Sequence, residues 1–250
     1  MPFADGEKLE ADAHRLNDVD LSEVTVLTPA RDEAEVIGKT IESLNHQGKN
    51  LSIVLIDDQS TDDTAMIARK TSTQNLRVVS GQPLEEGWAG KLWALEQGRQ
   101  YVSTPIILLL DADIEIAPGM IRALLNKMKT ESLDLVSIMA RLEMRSFYEK
   151  LLIPSFIYFF KLLYPFALGN SQKSRLGVAA GGCILIKRAA LEKIGGFGAL
   201  RGALIDDCTL AQKIKSAGMQ TWIGLSHSVT SHRGYSDLKG IWNMVARSAF

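Results

Sequence analysis

Pro105-Ile-Ile-Leu-Leu-Leu110 runs directly into Asp111-Ala112-Asp113, and these nine residues decide the class of fold. An apolar run of strand length with no polar alternation fits a central strand covered on both faces. Carboxylates placed at its end lie where ligands bind in open parallel sheets. Working back from it, Val24–Thr28 is a short β-rich run closed by Pro29, and Ala34–Leu44 follows with helical spacing at Val36, Ile37, Ile41 and Leu44. The unit repeats: strand Leu51–Ile56, turn Asp57-Asp58-Gln59-Ser60, helix Thr61–Thr71, strand Leu76–Val79, then a helix over Trp88–Tyr101. Working forward, Pro118–Met128 reads as a helix with proline at its start and Asp134–Ile138 as a strand. Strands alternating with helices predict an α/β fold with a mostly parallel central sheet flanked by helices.

The second half changes character. Arg145–Leu168 is long, apolar and aromatic, Gly177–Ile186 is glycine-rich and leads into a strand, and Arg188–Ile194 is a short helix. Asp206–Ala217 reads as a helix opened by two carboxylates, and Gln220–Leu225 as a strand. The 250 residues, 46% hydrophobic and 23% charged, supply ample core and exclude a disordered or collagen-like chain. No linker divides them, so residues 23–250 are expected to form one domain behind an N-terminal extension, 1–22. Its halves would be 23–140 and 141–250. A net charge of −1 removes the broad attraction that nucleic-acid binders need, so no nucleic-acid partner is expected. Cys183 and Cys208 are too few for a disulfide framework and suit a reducing compartment. The N-terminus lacks the features of a secretory signal. The helical pattern from Gly240 to Phe250 ends without a stop signal, as at a cut end.

The acids carry the chemistry. Asp57-Asp58 and Asp111-x-Asp113 each follow an apolar strand, and such crowded carboxylates repel unless a cation or a hydrogen-bonding ligand lies between them. A hard cation, Mg²⁺ or Mn²⁺, bridging a diphosphate meets that need, so Asp111 and Asp113 are the candidate metal carboxylates. Solvated strand-end acids are the plainer alternative. Asp206-Asp207 is either a helix cap or a catalytic base, since a positioned carboxylate can take the proton of an attacking hydroxyl. Gly181-Gly182 either form a tight turn or admit a sugar against bare backbone. Lys91, after Gly87-Trp88-Ala89-Gly90, is either a surface lysine or a ligand contact. His232-Arg233 either meets a leaving diphosphate or forms a partly exposed loop pair, the plainer reading.

Taken in order, these motifs match one family. Pro29-Ala30-Arg31-Asp32-Glu33 corresponds to its opening Pro-x-x-Asn-Glu, and Ile56-Asp57-Asp58-Gln59-Ser60-Thr61-Asp62 to its Val-Asp-Asp-x-Ser-x-Asp. The chain resembles the family 2 glycosyltransferases, over roughly 24–247. The resemblance implies a GT-A fold, with a Rossmann-like sheet that binds nucleotide-diphospho-sugars. Pro29-Ala30-Arg31-Asp32-Glu33-Ala34-Glu35-Val36-Ile37, Gly87–Lys91 and Trp242–Arg247 make it look most similar to hopene-associated, membrane-linked members. The resemblance implies that Pro29, Ala30, Glu33 and Asp58 line the nucleoside pocket of a UDP-sugar donor. It implies that Lys91 lies near base or diphosphate, that Ala112 lines the site, that Asp113 is the main metal carboxylate beside Asp111, and that Asp207 is the base with Asp206 its neighbour. Processive and lipid-directed relatives end in Gln-x-x-Arg-Trp. Here Arg247 is retained to face the departing diphosphate, but Met244 and Ser248 replace the glutamine and tryptophan, which favours a single transfer.

Arg145, Lys150, Lys161, Lys173 and Arg175 oppose one acid, Glu149, among Phe156, Tyr158, Phe159, Phe160, Tyr164 and Phe166. This combination predicts that 145–175 contacts a membrane surface and serves a lipid-like acceptor at the cytoplasmic face of the inner membrane. A buried core helix plus loop is the alternative, made awkward by Pro154 and Pro165. Among rival activities, a phosphatase would require Thr or Val where Glu115 stands, and a dinucleotide-dependent dehydrogenase requires a GxGxxG that is absent. A non-catalytic nucleotide-sugar-binding module would need Asp58 and Asp113 but not Asp207.

Overall fold

The apolar run that follows Pro105 organises the two layers of the molecule, because all five residues of the strand Ile106–Leu110 are buried. Ile106, Leu108 and Leu110 pack on one face of the sheet, with Ile37, Ile41, Ile121 and Leu124. Ile107 and Leu109 pack on the other, with Leu92, Leu95, Leu191, Leu210 and Ile214. Successive side chains point to opposite faces, so an unalternating run requires helices on both. Each such leucine contributes about 1.5–3 kcal/mol by leaving water.

The structure is a computed structural model that describes residues 5–14, 16–203, 206–235 and 238–249, with the side chains of 5, 17, 243, 244 and 246–249 outside the description. The strands are β1 (Val24–Ala30), β2 (Ser52–Asp57), β3 (Asn75–Ser80), β4 (Ile106–Leu110), β5 (Ile114–Ile116), β6 (Leu135–Leu142), β7 (Cys183–Lys187) and β8 (Thr221–Ser231). The helices are α1 (Ile37–Asn45), α2 (Thr64–Thr71), α3 (Gly90–Arg99), α4 (Met120–Thr130), α5 (Phe147–Leu163), α6 (Phe166–Asn170), α7 (Arg188–Lys193), α8 (Asp206–Ser216) and α9 (Leu238–Ala249).

One eight-stranded sheet has the order β3-β2-β1-β4-β7-β6-β8-β5. It is parallel from β3 to β4 and between β6 and β8. Strand β7 runs against both β4 and β6, and β5 against β8. The polarity matters for function: the carboxyl ends of β1, β2, β4, β6 and β8 and the amino end of β7 meet along one edge. The chain also changes direction between β1 and β4, making a crevice at that edge. Helix α3 approaches β1 and β2 closely because Gly98 faces them, where a Cβ would lie 2.3 Å from Ile56 Cδ1.

Two elements differ from the sequence expectation. Helix α5 continues through Pro154, which lies on its outer face, where water can take the bond that Pro154 cannot donate to Lys150. Pro165 lies outside it, as the N-cap of α6. A capping box opens α5: Ser146 Oγ accepts from Glu149 N at 3.2 Å, and Glu149 Oε2 accepts from Ser146 N at 2.6 Å. Buried Glu149 also accepts from Tyr235 N at 2.7 Å. Burial opposes its charge, but these backbone donors win and hold the carboxyl at about 2. The glutamate thus ties α5 to the segment that follows β8.

Residues before β1 pack along the sheet rather than away from it. Leu9 N donates to Leu225 O at 3.1 Å, and Glu10 accepts from the backbone N–H of His227 and Ser228 at the β8 bend. Buried Glu7 pairs with Lys161 of α5.

Candidate active site

The two opening motifs interlock across the ends of β1 and β2. Asp58 N donates to Ala30 O at 2.8 Å, Thr61 N to Asp32 Oδ1 at 2.7 Å, and Glu33 N to Thr64 Oγ1 at 2.8 Å. Ala34 N donates to Asp62 Oδ2, and Ser60 N to Asp57 Oδ1. Asp32, Asp57 and Asp62 therefore hold loop backbone, which leaves Glu33 and Asp58 to face the crevice. Asp32 and Gln59 each adopt a left-handed φ, of 52° and 60°, where the two turns meet.

The crevice is a cleft of about 580 Å³, within the range that takes a drug-sized ligand. Of the residues singled out from sequence, Pro29, Ala30, Glu33, Asp58, Lys91, Asp111, Ala112, Asp113 and Gly182 line it. Gly181, Asp206 and Asp207 are outside its lining and stand beside it. Gly181 is pressed against the Asp207 carboxylate so closely that a Cβ would lie 2.1 Å from Oδ2. Asp206 Oδ1 accepts from Asp207 N at 3.1 Å within the first turn of α8. Arg247 has backbone in α9, but its side chain lies outside the described residues.

Lys91, the second residue of α3, joins the two acidic groups. Its Nζ lies 2.8 Å from Asp111 Oδ1. Burial disfavours its charge, but Asp111, Asp207 and Asp206 outweigh that and push its pKa up. Burial raises Asp111 as well, against the pull of Lys91. Asp207 is pushed up to about 7 by burial, with Lys91 pulling it down and Asp206 and Asp111 pushing it further up. A carboxyl raised towards neutrality and standing beside a cleft suits proton transfer. Burial also raises Asp58, against Arg31, whose Nη1 lies 3.9 Å away.

From sequence, Arg233 is either a contact for a leaving diphosphate or half of a partly exposed loop pair, the plainer reading; the structure keeps it in a partly exposed loop and also places it in the cleft, bonded to Glu33, with Nε 3.5 Å from Asp113 Oδ2. His232 is half-buried, with Nε2 2.5 Å from Glu115 Oε2 and Nδ1 3.0 Å from Glu143 Oε1. The usable signal was position, since both residues directly follow the carboxyl end of β8. Asp113 is also buried, and its Oδ2 accepts from Ser231 Oγ at 2.6 Å. Met139, Leu142, Phe156 and Ile157 give the β6 and α5 side of the cleft an apolar lining.

The donors fit a hard divalent cation. One oxygen of each of Asp111 and Asp113 is engaged by the chain, and the other accepts no bond from the described residues. Among the described residues no three His, Cys, Asp or Glu side chains form a ready metal cage. That suits an ion that is held by one or two carboxylates and completes its shell from phosphate and water. Cys183 and Cys208 are buried free thiols, pushed up to about 12 and 11 chiefly by burial, so neither is primed as a nucleophile.

Outside the cleft, α5 buries only Glu149, Ile153 and Phe160, which overturns the reading of a buried core helix. Phe147, Leu151, Tyr158, Phe159, Leu162 and Leu163 are exposed on α5, as are Leu168 of α6 and Trp242 of α9. Among the described residues no helix is long and apolar enough to cross a membrane.

Comparison with known proteins agrees with this fold. The sequence model of glycosyl transferase family 2 matches residues 25–195. A 4,4′-diaponeurosporenoate glycosyltransferase of Staphylococcus haemolyticus is 32% identical over 93 residues, 37% of this chain and 24% of that protein. The chain therefore spans about a quarter of the length of that relative. A mannosyltransferase from Pyrobaculum calidifontis, solved with GDP-Man and Mn²⁺, superposes with a TM-score of 0.65 at 21% identity, covering 90% of this chain and 60% of that one. Glucosyl-3-phosphoglycerate synthase from Mycobacterium tuberculosis, solved with Mn²⁺, UDP and glucosyl-3-phosphoglycerate, gives 0.54 at 22% identity, covering 90% and 75%. The family model covers more than half of the chain, and its opening motifs are the ones laced together at the cleft: the protein belongs to glycosyl transferase family 2.

Proposed function

We propose that this chain transfers a sugar from a nucleotide diphosphate sugar, with UDP as the nucleotide, to a hydroxyl of a lipid-like acceptor, once per acceptor and with inversion at the anomeric carbon. The observation that carries the reading is the junction at Lys91, which bonds Asp111 in the cleft and feels the charge of Asp207 beside it. Backbone at Ala30 and the carboxylates of Glu33 and Asp58 would hold the nucleoside. Asp207 accepts the proton of the acceptor hydroxyl as its oxygen bonds to the anomeric carbon. The bond from that carbon to the diphosphate breaks on the opposite face, and the nucleoside diphosphate leaves with the electron pair. A divalent cation held by Asp111 and Asp113 would supply positive charge at the diphosphate. Lys91 adds a fixed positive charge beside it. Gly181 admits the Asp207 carboxylate against bare backbone and so sets its position.

The Staphylococcus relative's name, together with the apolar lining from Met139, Leu142, Phe156 and Ile157, supports a lipid-like acceptor. The match to hopene-associated members at Gly87–Lys91 and Trp242–Arg247 is consistent with a polyisoprenoid-derived one. The outward aromatics of α5 and α9 support contact with the cytoplasmic face of the inner membrane. The full chain is expected to sediment with anionic liposomes, and a variant carrying both Phe159→Ser and Trp242→Ser is expected to stay in the supernatant while still binding UDP. Equal sedimentation of the two would remove the membrane reading.

The activity is tested by measuring UDP release from UDP-sugars with Mn²⁺ or Mg²⁺, with and without an apolar alcohol. Metal-dependent UDP release that yields a glycosylated alcohol supports transfer. Release of inorganic phosphate would point to a phosphatase, and tight binding without turnover to a binding module.

A further inference from the structure

Both carboxylates of the Asp111-Ala112-Asp113 motif already face a cation of the chain's own, and the two cations differ in how they are held. Lys91 sits within the first turn of α3, with Nζ 2.8 Å from Asp111 Oδ1. Arg233 lies in the irregular segment just past β8, with its side chain 45% exposed, Nε 3.5 Å from Asp113 Oδ2 and Nη2 donating to Glu33 Oε1. Its surroundings are fixed. Asp113 is anchored by Ser231 Oγ at 2.6 Å, His232 is held between Glu115 and Glu143, and Tyr235 N is tied to Glu149 at 2.7 Å. The backbone of 231–235 is thus pinned on both sides of Arg233, while the guanidinium itself is half in solvent.

We propose that Arg233 is an exchangeable counter-cation of this cleft: it neutralises Glu33 and Asp113 in the empty protein and passes to the diphosphate when a nucleotide sugar arrives with its divalent cation. The inference rests on the reading of the cleft as a nucleotide-sugar site. A divalent cation entering the empty cleft meets a guanidinium already bound to one of its two carboxylates, and the like charges repel. A diphosphate offers that planar fork a better partner, since paired N–H donors match adjacent phosphate oxygens. Nucleotide binding therefore draws Arg233 off Asp113 and strengthens cation binding, and by linkage the cation strengthens nucleotide binding to the same degree. Arg233 acts as a selector that weakens the hold of these acids on a bare cation and lets them take a cation–nucleotide pair.

The test is calorimetry on the full chain and on Arg233→Gln and Arg233→Lys, titrating MnCl₂ alone and then UDP in the presence of Mn²⁺. Arg233→Gln is expected to bind Mn²⁺ alone about tenfold more tightly, and UDP with Mn²⁺ about tenfold more weakly, within the usual range of such couplings. Arg233→Lys keeps the charge and loses the fork, so it should match the wild type towards Mn²⁺ alone and bind UDP more weakly. Melting temperatures measured alongside identify a merely structural role, which would lower stability and weaken both ligands together. Arg233→Gln with unchanged or weaker affinity for Mn²⁺ overturns the proposal. Wild-type protein that captures neither UDP nor GDP with Mn²⁺ overturns the functional reading, and the Mn²⁺ titration of Arg233→Gln still decides the competition with Asp113.

Discussion

Asp207→Asn is expected to lower sugar transfer by about 10²–10⁴-fold, the span that a positioned general base contributes, while nucleotide affinity stays close to that of the wild type. The side chain keeps its shape and loses its negative charge, and with it the ability to accept a proton. Burial pushes the Asp207 carboxyl up to about 7, against the pull of Lys91, so it is protonated in acid and free to act as a base above neutrality. The sign follows: kcat/KM should rise with pH through about 7 and level off, and the Asn variant should lose that inflection. Gly181→Ala should reproduce much of the loss without changing any ionisable group, because the new methyl would lie 2.1 Å from Asp207 Oδ2 and force the carboxylate to move. Steady-state kinetics across pH 5–9 check all three statements. A variant at 207 that keeps most of its activity would remove the residue from the chemistry.

Asp113→Asn should have the second largest effect. Asp113 is buried and anchored by Ser231, so its orientation is already fixed, and the substitution removes charge without opening a cavity. Loss of one of two carboxylates is expected to cut metal-dependent turnover by about 10²–10³-fold, in line with the several kcal/mol of charge stabilisation that a bound cation supplies. EDTA should produce a comparable loss in the wild-type protein, reversed by Mn²⁺. Measuring UDP affinity with and without Mn²⁺ separates this from misfolding: the wild type should gain affinity from the ion and the variant should gain little. An Asp113→Asn protein with undiminished metal response would move the cation elsewhere.

Much of the fold could be read from local pattern. The run Ile106–Leu110 is buried throughout and divides its side chains between two helical layers, which is what an unalternating apolar strand requires. The acids after β2 and β4 fell at the edge of the sheet for the same reason, since a parallel arrangement gathers strand carboxyl ends. Other features depend on contacts between distant segments. Nothing local to Asp32, Asp57 and Asp62 separates them from Glu33 and Asp58; the division appears only when the ends of β1 and β2 come together and the first three bond to loop backbone there. Arg233 is 200 residues from Glu33, and the pairing of β8 with β5 and β6 brings it to the cleft. Strand β5 is three residues long, with Glu115 exposed at its centre, too short for a periodic signal. Pro154 was misleading because the cost of proline in a helix depends on whether the freed carbonyl faces water, and here the residue is on the outer face of α5.

The central claim is that this acidic edge captures a pyrophosphate through a divalent ion. Calorimetry of the full wild-type chain with UDP-sugars and GDP-sugars, in Mn²⁺ and again in EDTA, tests it most directly. Saturable binding of at least one sugar nucleotide that disappears with EDTA is the predicted result. Folded protein that binds none of them with Mn²⁺, or binds one equally well in EDTA, would contradict the account.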